Sequence, residues 1–172
     1  MHRARHKQGV TIVELIIAIV ILGLIAALAI PRFSHAGQDT VEDELRHRLS
    51  VLRTAIELYR SQHDGYPGAI DGVCTDEAGD LFAAQLTGRT GANGRPCEAG
   101  QADCFGPYIR NSLAGSPLRG TGSPGRVYVW TQSGEPHASA EIDADWLFDC
   151  RTGYLVVNDP EMDSERKRFD QY

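Results

Sequence analysis

Glu14 poses the first chemical question in this sequence. It stands in the run GVTIVELIIAIVILGLIAALAIPRF, Gly9 to Phe33, where the 21 residues from Val10 to Ile30 have only Thr11 and Glu14 as polar side chains. A carboxylate at the centre of a membrane helix costs roughly 2.5–3.5 kcal/mol and less near the interface, so Glu14 calls for a cationic partner or a proton. A cation about one helical turn away in the same chain would neutralise Glu14 only in part, whereas one brought by a neighbouring copy could pair with it where the dielectric is low, and burial of the pair would set the stagger between copies.

The other reactive residue types form no catalytic pattern. His2, His6, His35, His47, His63 and His137 are dispersed, with no H-E-x-x-H spacing, and the glycines fit no phosphate-binding motif. No enzyme activity and no cofactor are expected. Asp159, Glu161 and Asp163, with Ser164, supply hard oxygen ligands at close spacing and are the candidates for a calcium site, although the glycine turn and bidentate acid of an EF-hand are missing. Cys74, Cys97, Cys104 and Cys150 lack the C-x2-C pairs of a zinc site and read as disulfides in an exported domain. The spacing leaves three pairings open; Cys74 with Cys97 and Cys104 with Cys150 is the favoured one.

These residues need elements to position them. At about 1.5 Å per residue, a helix over Val10–Ile30 just spans a hydrocarbon core of about 30 Å. Beyond it, Val41, Leu45, Leu49, Leu52, Ile56 and Tyr59 recur at steps of three and four, with charged residues between them. The same helix therefore continues as an amphipathic half lying against a folded domain, with Gly65 and Pro67 as its stop. Gly23 and Pro31 are the positions expected to weaken or kink it.

Residues 66–125 are rich in glycine and proline, with a short helix expected over Asp76–Leu86 and an exposed excursion over Leu86–Cys104. The stretches Arg126–Thr131, Asp145–Cys150 and Tyr154–Asn158 read as three antiparallel strands, the last two joined by a hairpin at Gly153. Trp130 and Trp146 read as packing anchors. The fold class is α+β: a long N-terminal helix, half transmembrane and half amphipathic, packed on a small antiparallel sheet.

The leader ending in Gly9, the hydrophobic helix starting directly after it and the glutamate at the fifth position beyond the cleavage point resemble the type IV prepilin signal. Val10 departs from the phenylalanine or methionine usual there. Over residues 1–33 the chain resembles type IV pilins and the pseudopilins of type II secretion. The resemblance implies a leader over residues 1–9, a membrane and assembly helix over 10–31, and a pilin-like periplasmic or extracellular domain over 32–172. It implies cleavage after Gly9, N-methylation of Val10 and a filament-assembly role for Glu14. Its implied partners are further copies of the chain and related minor subunits, membrane lipid before assembly, a prepilin peptidase, an inner-membrane platform protein and an assembly ATPase.

Tyr66-Pro67, Phe105-Gly106-Pro107-Tyr108 and the Asp145–Gly153 hairpin resemble features of major pseudopilins, which favours a secretion pseudopilin over a type IV pilus subunit for adhesion or twitching motility. A third reading is a secreted binding domain behind an ordinary signal peptide, with Arg3, Arg5 and Lys7 as its basic region and Ala27-Leu28-Ala29 as its cleavage site. Against it stand Glu14 and the length of the apolar run. Loss of the leader's three cations would take the net charge from −6 to −9, so no nucleic-acid partner is indicated.

Overall fold

A computed structural model of the chain describes residues 11–74, 78–98, 100–120, 122–131 and 133–172, with only the backbone described over 27–38 and at Ala78. The elements in chain order are helix α1 (Ile12–Gln62), strands β1 (Ala69–Ile70) and β2 (Val73–Cys74), helix α2 (Ala78–Thr87), and strands β3 (Val127–Val129), β4 (Trp146–Phe148) and β5 (Leu155–Val157). Single 3-10 turns lie at Pro117–Arg119 and Phe169–Gln171. The chain divides into two compact units, residues 1–40 and 41–172.

In the second unit, the expected stripe on α1 is the core face. Leu45, Leu49, Leu52, Ile56 and Tyr59 are buried, and Val41 is half-buried. The five buried side chains join a cluster with Phe82 and Leu86 of α2, Trp146 and Phe148 of β4, Leu155 and Val157 of β5, and Phe169. Burial of each large side chain of this kind is worth about 1.5–3 kcal/mol, so the amphipathic half of α1 is held by the domain rather than by its own propensity. Trp130 and Trp146 are both buried, as packing anchors should be. The Trp146 indole N–H donates to the Ala114 carbonyl at 3.0 Å.

One expectation about the sheet fails. β4 and β5 are antiparallel, with Leu147 opposite Val156, but β3 runs parallel to β4, with Tyr128 opposite Leu147. A parallel neighbour needs a long return connection, and residues 130–145 supply it. The return is fastened at Asp145, whose buried carboxylate accepts from the backbone N–H groups of Ser116 (3.1 Å) and Arg126 (3.0 Å) and from the Ser123 hydroxyl (2.5 Å). Asn158 pins the same connection by donating to the carbonyls of Ile142 (2.7 Å) and Ala144 (3.0 Å).

The cysteine pairing also differs from the favoured one: the disulfides are Cys74–Cys150 and Cys97–Cys104. The cause is local pairing. Thr90 bridges both Pro96 and Phe105, which sets the arms carrying Cys97 and Cys104 side by side and leaves Cys74, at the end of β2, to meet Cys150 beyond β4. The 86–104 excursion is closed by its own disulfide yet not wholly exposed. Buried Gln85 donates to the carbonyls of Ala69 and Gly94, each at 2.8 Å, and accepts from the Gly68 N–H at 2.6 Å.

The β4–β5 connection behaves as expected, with Gly153 at φ +77°. The Tyr66 ring lies where a Cβ at Gly153 would stand. A Gly153→Ala substitution therefore meets both left-handed backbone strain and a steric clash, and should destabilise the domain by about 1–3 kcal/mol in thermal or urea unfolding. A change under about 0.5 kcal/mol would contradict that packing.

Candidate functional site

The start of α1 is built by Thr11. Its hydroxyl accepts from the Glu14 N–H at 3.2 Å and its carbonyl accepts from the Leu15 N–H at 3.1 Å, so two first-turn donors are satisfied. This fixes Glu14 in the first turn, where a carboxylate is favoured by the helix dipole. The Glu14 side chain is exposed and has no cationic partner among the described residues. Gly9 and Val10, the expected cleavage and methylation positions, lie outside the described residues.

Around Glu14, every face of the helix is apolar and uncovered. Ile12, Val13, Leu15, Ile16, Ile17, Ile19, Val20, Ile21, Leu22, Leu24 and Ile25 are each at least half exposed. A helix apolar all round is stable only in lipid or among other helices. Among the described residues no helix is long and apolar enough to cross a membrane. The apolar sequence, however, runs on to Ile30, beyond the last described side chain at Ala26. A Cβ at Gly23 would meet nothing within 4 Å, so no close contact in this chain demands glycine there. The helix continues through Gly23 and Pro31 rather than ending at either, and the Pro31 side chain lies outside the described set.

The expected calcium candidates Asp159 and Asp163 accept hydrogen bonds from neighbouring groups. The Asp159 carboxylate accepts from the Glu161 N–H at 2.9 Å, and Glu161 is exposed. Asp163 is buried; it accepts from the N–H groups of Glu165 and Lys167, each at 2.8 Å, and from the Tyr172 hydroxyl. Among the described residues no three His, Cys, Asp or Glu side chains are grouped to hold a metal ion.

The acidic stretch locks the C-terminal turn to α1. Glu42 accepts from the Ser164 N–H (2.9 Å) and hydroxyl (3.1 Å), while the Arg46 guanidinium donates to the Tyr172 hydroxyl at 2.8 Å and lies over its ring. The Tyr172 hydrogen bond holds the Asp163 carboxyl below its ordinary range. Burial, helped by Asp163, pushes the Tyr172 hydroxyl up to about 12. Sequence reading missed this clamp because Glu42 with Ser164 and Arg46 with Tyr172 join residues 122 and 126 positions apart. The sole local hint was an acidic residue on the buried side of an amphipathic helix.

Residues 4–30 match the prokaryotic N-terminal methylation motif. The chain is 30% identical over 119 residues to the type IV major pilin protein of Myxococcus xanthus, a match covering 69% of this chain and 47% of that protein. It is 28% identical over 149 residues to the type IV major fimbrial protein of Dichelobacter nodosus, covering 83% of this chain and 93% of that one. It is 25% identical over 69 residues to the type II secretion system core protein G of Pseudomonas aeruginosa, covering 40% and 49%. The chain thus spans about half the length of the Myxococcus and Pseudomonas relatives. No solved structure matches it.

Proposed function

The chain belongs to the type IV pilin and pseudopilin family, and we propose that within it the protein is a structural subunit of a type II secretion pseudopilus, with no catalytic role. The observation that carries this reading is the capped first turn of α1, which presents Glu14 within a helix whose whole circumference is apolar and uncovered, while the same helix supplies the core face of the folded unit. Such a helix needs lipid before assembly and other helices after it.

In this reading residues 1–9 are the leader, 10–31 the membrane and assembly helix and 32–172 the exported domain. A prepilin peptidase cleaves after Gly9, and the amine of Val10 is methylated without losing its charge. The precursor crosses the inner membrane once, its basic leader cytoplasmic and its domain periplasmic. Transfer of residues 15–30 from lipid to neighbouring helices gains close packing and charge pairing rather than burial from water, so extraction is powered by an assembly ATPase acting through a platform protein.

The secretion reading is supported by Tyr66 and Gly153, which belong to separate pseudopilin-like stretches and pack together here. A surface pilus is the second reading, favoured by the longer matches to the pilin and the fimbrial protein. Deleting the gene in its host separates them. Exported enzymes should accumulate in the periplasm while twitching persists; lost twitching with normal secretion would assign the chain to a surface pilus.

A further inference from the structure

At the end of α1, a buried imidazole holds the disulfide-closed loop. His63 is 5% exposed and stacks on Tyr59 with ring centroids 3.7 Å apart, while Phe105 and Tyr108 meet it edge-on at 5.5 and 6.0 Å. Its Nδ1 lies 2.9 Å from the Tyr59 carbonyl, which only accepts, so Nδ1 carries the proton. In the neutral ring Nε2 is then bare, and it accepts from the Thr90 hydroxyl at 2.8 Å. Thr90 is itself buried, and its backbone exchanges two hydrogen bonds with Phe105, at 3.1 and 2.9 Å. The imidazole therefore grips the loop at the point where its two arms pair.

We propose that His63 is a proton-operated latch: protonation of Nε2 releases the loop arms that pair at Thr90 and Phe105 from the end of α1. A proton on Nε2 turns the acceptor into a donor. The Thr90 hydroxyl must then direct its own hydrogen elsewhere inside a closed site, and a cation is placed where water does not reach it. The end of α1 also holds this loop through the Asp64 N–H to the Ala92 carbonyl at 2.9 Å, through the Tyr108 hydroxyl at 2.7 Å from Gln62 and 3.5 Å from His63 Nδ1, and through the edge contact of Tyr108 with Tyr59, while Asp71, Gln85 and Leu86 hold it from other elements.

The titratable and charged neighbours are Tyr59, Arg60 and Asp64 on the α1 side and Tyr108 on the loop side. Arg60 donates to the His63 carbonyl at 3.0 Å. Burial holds the imidazole below its ordinary value, outweighing the opposite pulls of the Tyr59 carbonyl, Thr90 and Asp64. A lowered folded value stabilises the closed loop fully above the open-state value near ~6.5, and that contribution is lost as pH falls toward the folded value. Across this window the open fraction should rise by up to about tenfold per pH unit, then level off.

The experiment uses the full chain in detergent micelles. The His63 ring is titrated by NMR, and hydrogen exchange, corrected for intrinsic rates, is followed at the amides of Thr90, Phe105 and Tyr108 from about pH 7.5 to 5. Expected are a His63 value below the ordinary one and a loss of protection confined to the loop, with the Leu49 and Ile56 amides unchanged. In His63→Gln, which stays neutral, the pH dependence should vanish. The wild-type titration decides alone if that variant does not fold. A His63 that titrates at or above its ordinary value, loop amides unaffected by pH, or equal loss of protection in the core would overturn the latch.

Discussion

A Glu14→Ala chain is expected to accumulate in the membrane and yet yield no filaments. Two effects of opposite sign make this result diagnostic. Removing a carboxylate from an apolar helix eases insertion, by up to roughly 2.5–3.5 kcal/mol if the group sat at the centre of the bilayer. In the proposed filament the same change would strand the neighbour's amino group, and breaking a buried ion pair from one side costs about 3–5 kcal/mol. At 1.4 kcal/mol per factor of ten, that is two to four decades in each subunit contact, enough to take filaments below detection by electron microscopy. Glu14→Gln should fail similarly because it keeps the shape and loses the charge. Normal filaments from either variant would end the proposal that Glu14 sets the register.

The second large effect concerns the folded unit. Cys74–Cys150 closes a loop with a sequence separation of 76 and joins the end of β2 to the core through buried Cys150, whereas Cys97–Cys104 spans only 7. Chain entropy alone assigns about 4.5 kcal/mol to the long loop and about 2.5 kcal/mol to the short one. The double variant Cys74→Ser, Cys150→Ser should therefore melt roughly 10 °C or more below the parent, and the Cys97→Ser, Cys104→Ser variant clearly less far below it. Scanning calorimetry reads both. A larger loss from the short loop would show that local packing, not loop length, governs the domain.

These two expectations differ in how legible they were. Glu14 stood out because its anomaly is local, one charge in an apolar run, and the steps of three and four from Val41 to Tyr59 marked the core face of α1 for the same reason. Gly153 was equally readable, since a three-residue connection between β-rich runs calls for a positive φ. The parallel pairing of β3 was not. It depends on where the 130–145 connection returns, which Asp145 and Asn158 decide through partners 14 to 29 residues away. Disulfide pairing failed likewise, because Thr90 rather than any cysteine sets which arms meet. Asp163 was singled out as a hard oxygen ligand, a role composition allows. That Glu42, Arg46 and Tyr172 form a clamp beside it was not legible, because no short pattern links positions 42 and 164.

The latch at His63 belongs to the same class. The six histidines are dispersed and match no catalytic motif, and only the fold shows one of them enclosed between Tyr59, Phe105 and Tyr108. Spacing reports chemistry that neighbours along the chain carry out together. It does not report what a long loop brings back.

The central claim is that the N-terminus is processed for filament assembly and keeps its apolar helix. Intact mass and N-terminal sequencing of the mature protein from host membranes test it most directly. The expected mature chain begins at N-methylated Val10 and retains Glu14 and the whole apolar run. A soluble chain beginning near Ile30 would contradict it, since the assembly helix would then have been discarded as an ordinary signal peptide.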